Sequence, residues 1–138
     1  MAAGFDAELD TAHSIRLTIP GQPQYVRLGR LALSGLARSH SLSPEDLGDL
    51  KLALTEAYSL RRASPESDAT VEIHYELHED RLVVELTDEG EGFVVEEVPP
   101  LSEPAVGLAI IRALADELEV GPRVDGDGSR LRFVKRFR

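Results

Sequence analysis

Residues 70–93 read TVEIHYELHEDRLVVELTDEGEGF, and the fold is decided here. Along 70–77 every second residue is apolar (Val71, Ile73, Tyr75, Leu77), the period of a strand with one buried face. His78-Glu79-Asp80 supplies a polar turn, and residues 81–87 return through Leu82-Val83-Val84-Glu85-Leu86. Two such runs predict an antiparallel hairpin. Its second strand leads straight into Asp88-Glu89-Gly90-Glu91-Gly92-Phe93. Glycines one residue apart let the backbone turn sharply and approach a ligand closely. An aspartate at a strand end can accept a hydrogen bond from an exocyclic amino group. Taken alone, the same loop also reads as an ordinary glycine-rich strand exit.

Upstream, residues 14–19 alternate polar and apolar as a half-buried strand does, and Pro20-Gly21-Gln22-Pro23 ends them. Between 24 and 39, Tyr25, Leu28, Ala32 and Leu36 fall at helical spacing, so this stripe is expected to face the sheet. Arg27, Arg30, Ser34 and Arg38, interrupted by Leu31, lie on the other side. Ser43 caps a second helix, with Pro44 at its first position and Glu45 and Asp46 at its positive end. That helix is expected to run to about residue 63, before Pro65. Downstream, the acidic stretch 88–103, with Pro99-Pro100, leads to a third helix over about 106–116. Short strands at 118–120 and 130–136, separated by the turn-rich 121–129, close the chain.

Strands grouped with strands predict an α+β two-layer sandwich and not an alternating parallel sheet. The expected form is a mixed, mostly antiparallel sheet covered on one face by three helices. Residues 1–13 read as a loosely ordered lead-in and 14–138 as one domain.

Composition narrows the function classes. The chain has 138 residues, 42% of them hydrophobic, enough for a core and too many for a disordered chain. It has no cysteine, which excludes disulfides and Cys-based zinc sites or nucleophiles. His13, His40, His74 and His78 are scattered without metal-ligand spacing. No apolar run approaches the length of a membrane span, and the mixed, acidic start does not read as a secretion signal. A cytoplasmic protein is expected. The net charge of −10 argues against direct nucleic-acid binding and suits a basic protein partner, or solubility alone.

Two further segments carry chemistry. In Ala105-Val106-Gly107-Leu108-Ala109-Ile110-Ile111 a glycine is expected to open the third helix, and a helix N-terminus attracts anions. In Leu52-Ala53-Leu54-Thr55-Glu56-Ala57 a carboxylate stands on an otherwise apolar helix. Together with Asp88-Glu89-Gly90-Glu91-Gly92-Phe93, these resemble the three boxes of the GHKL superfamily, the ATP-binding fold shared by DNA gyrase, sensor histidine kinases and certain chaperones. Within it, the chain is similar to the bacterial anti-sigma-factor serine kinases of the general-stress type, from Ser14 to Phe137.

The resemblance implies a role for each matched residue. Glu56 is the carboxylate that activates a water or a substrate hydroxyl. Asp88 reads the adenine amino group. Gly90 and Gly92 form the glycine loop beneath the nucleotide, and Gly107 and Leu108 the second loop near the phosphates. Ser129 is the small hydroxyl residue that supports adenine binding. ATP, or ADP, is the implied cofactor.

Two positions depart from the family pattern. An asparagine usually follows the glutamate by four residues and binds magnesium; here that residue is Leu60. Leucine has no oxygen, and magnesium takes hard oxygen ligands. No metal ligand is therefore assigned and a bound Mg²⁺ is not expected to be held in the usual way. A histidine further along the helix is replaced by Ser64. The usual first glycine of the last box is Ala105, behind a short, proline-bearing segment. Leu60 reads as core packing, and Arg61 and Arg62 as a solvated helix end or a contact to partner or phosphate.

The function expected from this resemblance is transcriptional control in a stress response. The protein would bind a sigma factor, an anti-anti-sigma antagonist, or both, with kinase activity weak or lost. A fully active serine/threonine kinase acting on the antagonist and a non-catalytic switch subunit are the alternatives. A homodimer is compatible with each.

Overall fold

A computed structural model of the chain describes residues 13–40, 42–62, 69–90, 92–95, 101–123 and 128–137. Ala63, Ser64, Pro65, Glu91, Glu96, Glu97, Pro99, Pro100 and all but the last residue of the lead-in lie outside them. The elements are β1 (His13–Pro20), a 3-10 turn (Pro23–Tyr25), α1 (Val26–Ser39), α2 (Pro44–Ser59), β2 (Thr70–Leu77), β3 (Arg81–Asp88), α3 (Glu103–Leu114), β4 (Glu117–Pro122) and β5 (Ser129–Arg136). The strands form one sheet in the order β1-β2-β3-β5-β4. Every neighbouring pair in it is antiparallel.

The β2–β3 hairpin sits at the centre of the sheet. Its register places Ile73 opposite Leu86, Tyr75 opposite Val84 and Leu77 opposite Leu82. These six, with Val71, Leu131 and Phe133, are buried on the face that the helices cover. The other face carries cross-strand ion pairs, Arg16 with Glu72, Arg130 with Glu85 and Glu119, and Arg132 with Glu117. Such exposed or half-exposed pairs are worth about 0–1 kcal/mol each, so they mark a solvated face and do little to hold the fold. α2 packs between α1 and α3. Its start follows its sequence: Ser43 Oγ accepts the Asp46 N–H at 3.0 Å, and Pro44 occupies the first helical position.

α1 is rotated from its expected setting. Gly29, Leu33 and Leu36 are its buried residues, while Leu28 is 40% exposed and Tyr25 and Ala32 are only partly covered. The cause is Tyr75, which rises from β2 and donates its hydroxyl to the Gly29 carbonyl at 2.8 Å. A Cβ at Gly29 would lie 2.9 Å from that hydroxyl oxygen and 3.0 Å from Leu54 Cδ2. The helix thus turns its glycine to the sheet, and a count of apolar side chains cannot see that choice.

Burial pushes the Tyr75 hydroxyl far above its ordinary value of 10. Burial also raises Tyr58, against the lowering pull of the Arg61 guanidinium. Above pH 10 the unfolded chain releases these protons while the folded chain keeps them, so stability falls as pH rises. The contribution is whole below pH 10 and is lost through the alkaline range. Urea unfolding from pH 9 to 11.5 is expected to show this fall. In Tyr75→Phe the slope above pH 10 is expected to be shallower by about 1.4 kcal/mol per pH unit. An unchanged slope in the variant would show that Tyr75 is not the group responsible.

Candidate functional site

Two clusters meet where the C-terminal end of α2 approaches the loop after β3. The first is a cleft of about 400 Å³ whose lining includes Glu56, Ser59, Leu60, Leu101, Val106 and Gly107. Glu56 and Leu60, one helical turn apart, point the same way. A Cβ built on Gly107 would lie 3.0 Å from Glu56 Oε1 and 3.8 Å from Leu60 Cδ2. The glycine therefore lets α3 come up against the carboxylate. Among the described residues no side chain bonds to Glu56, which borders the cleft.

Leu60 is 2% exposed and belongs to the hydrophobic core. An apolar side chain thus fills the position where a metal ligand would stand, and it offers no oxygen. The residues present do not fit a magnesium ion held in the family's manner.

α2 stops at Ser59 and not near residue 63, because the chain is stitched to the glycine loop from Leu60 onward. The Val94 N–H donates to the Leu60 carbonyl at 2.7 Å, and the Arg62 N–H to the Gly92 carbonyl at 2.6 Å. Arg61 and Phe93 form a bridge between these bonds.

The second cluster is built on Asp88, at the end of β3 and fully buried. Its Oδ1 accepts the Gly90 N–H at 3.1 Å and its Oδ2 the Gly92 N–H at 3.4 Å. Gly92 has φ +91°, and a Cβ there would lie 2.8 Å from Ser129 Oγ. Ser129, the first residue of β5, pairs directly with Asp88 across the sheet. Asp88, Gly90, Gly92 and Ser129 are therefore brought together.

Arg61 departs from its expected place. Arg62 is exposed, but the Arg61 side chain is 4% exposed, and its Nη2 lies 3.5 Å from Asp88 Oδ1. Nη1 donates to the Gly21 carbonyl at 3.2 Å, and the guanidinium carbon lies 5.1 Å from the Tyr58 ring centroid. A charged residue after a helix end reads as solvated; only the three-dimensional proximity of an aspartate 27 positions away buries it.

The third box is also placed differently. α3 begins at Glu103, with Ser102 as its cap, so Gly107 lies in the second turn and does not open the helix. Ser102 Oγ accepts the Ala105 N–H at 3.3 Å, and the Val106 N–H bonds to the Ser102 carbonyl. Gly107 and Leu108 are buried and face α2 and the core. The sequence held the correct signal: Ser102-Glu103-Pro104 repeats the Ser-then-Pro start of α2.

Comparison with known proteins agrees with this geometry. Residues 19–135 match the family described as histidine kinase-like ATPase domain. The chain is 36% identical over 122 residues to the serine-protein kinase RsbW of Listeria innocua, covering 77% of this chain and 78% of that one. It is 33% identical over 127 residues to the RsbW of Bacillus subtilis, covering 80% and 79%. In fold it resembles a crystal structure of the RsbU and RsbW domains of a Mycobacterium tuberculosis protein, with a TM-score of 0.63 at 17% identity. That likeness covers 90% of this chain and 32% of the larger one. None of the helices described is long and apolar enough to cross a membrane.

Proposed function

This chain belongs to the histidine kinase-like ATPase domain family, among the relatives of the RsbW serine-protein kinases, and from that premise we propose that it is an anti-sigma-factor-type regulator that acts by binding, with kinase activity weak or lost. It binds a sigma factor in the cytoplasm and blocks its access to RNA polymerase, and an anti-anti-sigma antagonist competes for it. The observation that carries this reading is Leu60, buried beside Glu56 and Gly107 in place of an oxygen ligand. Phosphoryl transfer depends on charge neutralisation by metal, which that position does not supply. Protein binding needs only a surface.

The residues at the base end still suit adenine: Asp88 with Gly90, Gly92 and Ser129. By the family resemblance Gly107 and Leu108 belong to the phosphate end; of the two, Gly107 borders the cleft beside Glu56 and Leu108 packs in the core beneath it. Glu56 would act on a hydroxyl only if a phosphoryl group were held next to it. The expected result is residual adenine-nucleotide binding that depends little on magnesium.

The partner is met by a surface of mixed charge. The outer side of α1 exposes Arg27, Arg30 and Arg38 around Leu31, which is 64% exposed. Elsewhere the chain is acidic, with Glu103, Asp116, Glu117 and Glu119 exposed. Such a surface steers a partner of opposite charge, and salt screens the effect. With a purified stress-response sigma factor from the same cell, the association rate is expected to fall by about tenfold between low and high salt. No appreciable affinity for DNA is expected. Failure to bind either a sigma factor or an antagonist, together with DNA binding at physiological salt, would overturn the anti-sigma reading.

A further inference from the structure

We propose that Arg61 competes with the adenine base for Asp88, so that a nucleotide enters only when the guanidinium leaves, and that Arg61 thereby sets the nucleotide affinity of this chain. The inference rests on the reading of Asp88 as the base-reading carboxylate.

Both candidates for Asp88 are donors. Adenine would offer its amino group, and the guanidinium offers its N–H groups; one carboxylate oxygen is in question for both. Asp88 is 0% exposed, and its two oxygens already accept from Gly90, Gly92 and Arg61. The Arg61 side chain, 4% exposed, lies between the Gly21 carbonyl, the Tyr58 ring and that carboxylate. The guanidinium takes up Asp88 Oδ1, so a base that needs that oxygen competes with it.

The guanidinium is also poorly held. Its approach to Asp88 is long, 3.5 Å, and its buried Nε has no hydrogen-bond partner. A buried N–H left unmade weakens the closed arrangement. A flat base that presents one well-directed donor can therefore displace it. Arg61 lowers affinity without abolishing it, because the apparent dissociation constant is the intrinsic one divided by the fraction of open protein.

The test is ADP binding by calorimetry in EDTA, which removes any contribution from metal. Arg61→Ala and Arg61→Met are expected to bind ADP at least about tenfold more tightly than the natural chain, as removal of a closed state favoured tenfold requires. The methionine variant refills the vacated volume and so leaves no cavity, and Asp88 keeps the Gly90 and Gly92 N–H groups in both variants. Equal or weaker binding by the Arg61 variants, or no binding by any of them, overturns the inference. Asp88→Asn tests the underlying reading separately. If it leaves affinity unchanged in both the natural chain and Arg61→Met, Asp88 does not read the base. A second measurement needs no variant. The Arg61 Nε–H should give a ¹⁵N signal protected from solvent exchange, and saturating ADP should abolish the protection. ADP bound with Arg61 still protected would overturn the inference.

Discussion

Asp88→Ala is expected to destabilise the protein by about 3–5 kcal/mol, the usual result of removing one partner from a buried ion pair. The carboxylate is fully buried and the Arg61 side chain 4% exposed, so its loss leaves a guanidinium charge without its carboxylate partner among the described residues. It also frees the Gly90 and Gly92 N–H groups, which hold the loop against the end of β3. Urea unfolding at pH 7 measures the effect. Asp88→Ala combined with Arg61→Met is expected to recover most of the loss, because an apolar replacement of a whole buried pair is often neutral. A loss below about 1 kcal/mol in the single variant would place the pair at an exposed site.

Leu60→Asn is expected to bring both a loss and a gain. The side chain is 2% exposed among core residues, so an amide there gives up apolar burial and lacks a full set of partners. The two effects together cost about 3 kcal/mol. In return an oxygen appears one helical turn from Glu56, where magnesium can use it. The thermal shift with ATP is expected to become magnesium-dependent, whereas that of the natural chain is expected to depend little on magnesium. A nucleotide at 100 times its dissociation constant stabilises a fold by about 2.7 kcal/mol, enough to read against the lowered baseline. A variant whose ATP response is the same in magnesium and in EDTA would show that the asparagine alone does not rebuild the metal site.

Different parts of this molecule were legible in the sequence to different degrees, for physical reasons. The central hairpin was legible because a two-residue period admits one register with Val71, Ile73, Tyr75 and Leu77 inside. The start of α2 was legible because Ser43 and Pro44 do their work locally. The start of α3 is equally local, set by Ser102 and Pro104, whereas Gly107 suggests a start one turn later. The setting of α1 was not legible, because it depends on where Tyr75 reaches Gly29 across 46 residues. The grouping of Asp88, Gly90, Gly92 and Ser129 followed from the resemblance, and the β3–β5 register brings them together. The burial of Arg61 is not legible, because burial of a charge is decided by a distant partner and leaves no trace in local periodicity.

The central claim is that this chain keeps its family's fold and base-reading cluster while losing productive use of magnesium and ATP. Radiolabelled phosphoryl transfer from ATP to the serine of a purified antagonist protein, with magnesium present, tests it most directly. The Bacillus subtilis relative assayed with its own antagonist serves as the reference. The account predicts phosphoserine at background, or far below the reference, from this chain, although it forms a stable complex with its protein partner. Serine phosphorylation at about 1–100 per second, the ordinary range for protein kinases, would contradict it.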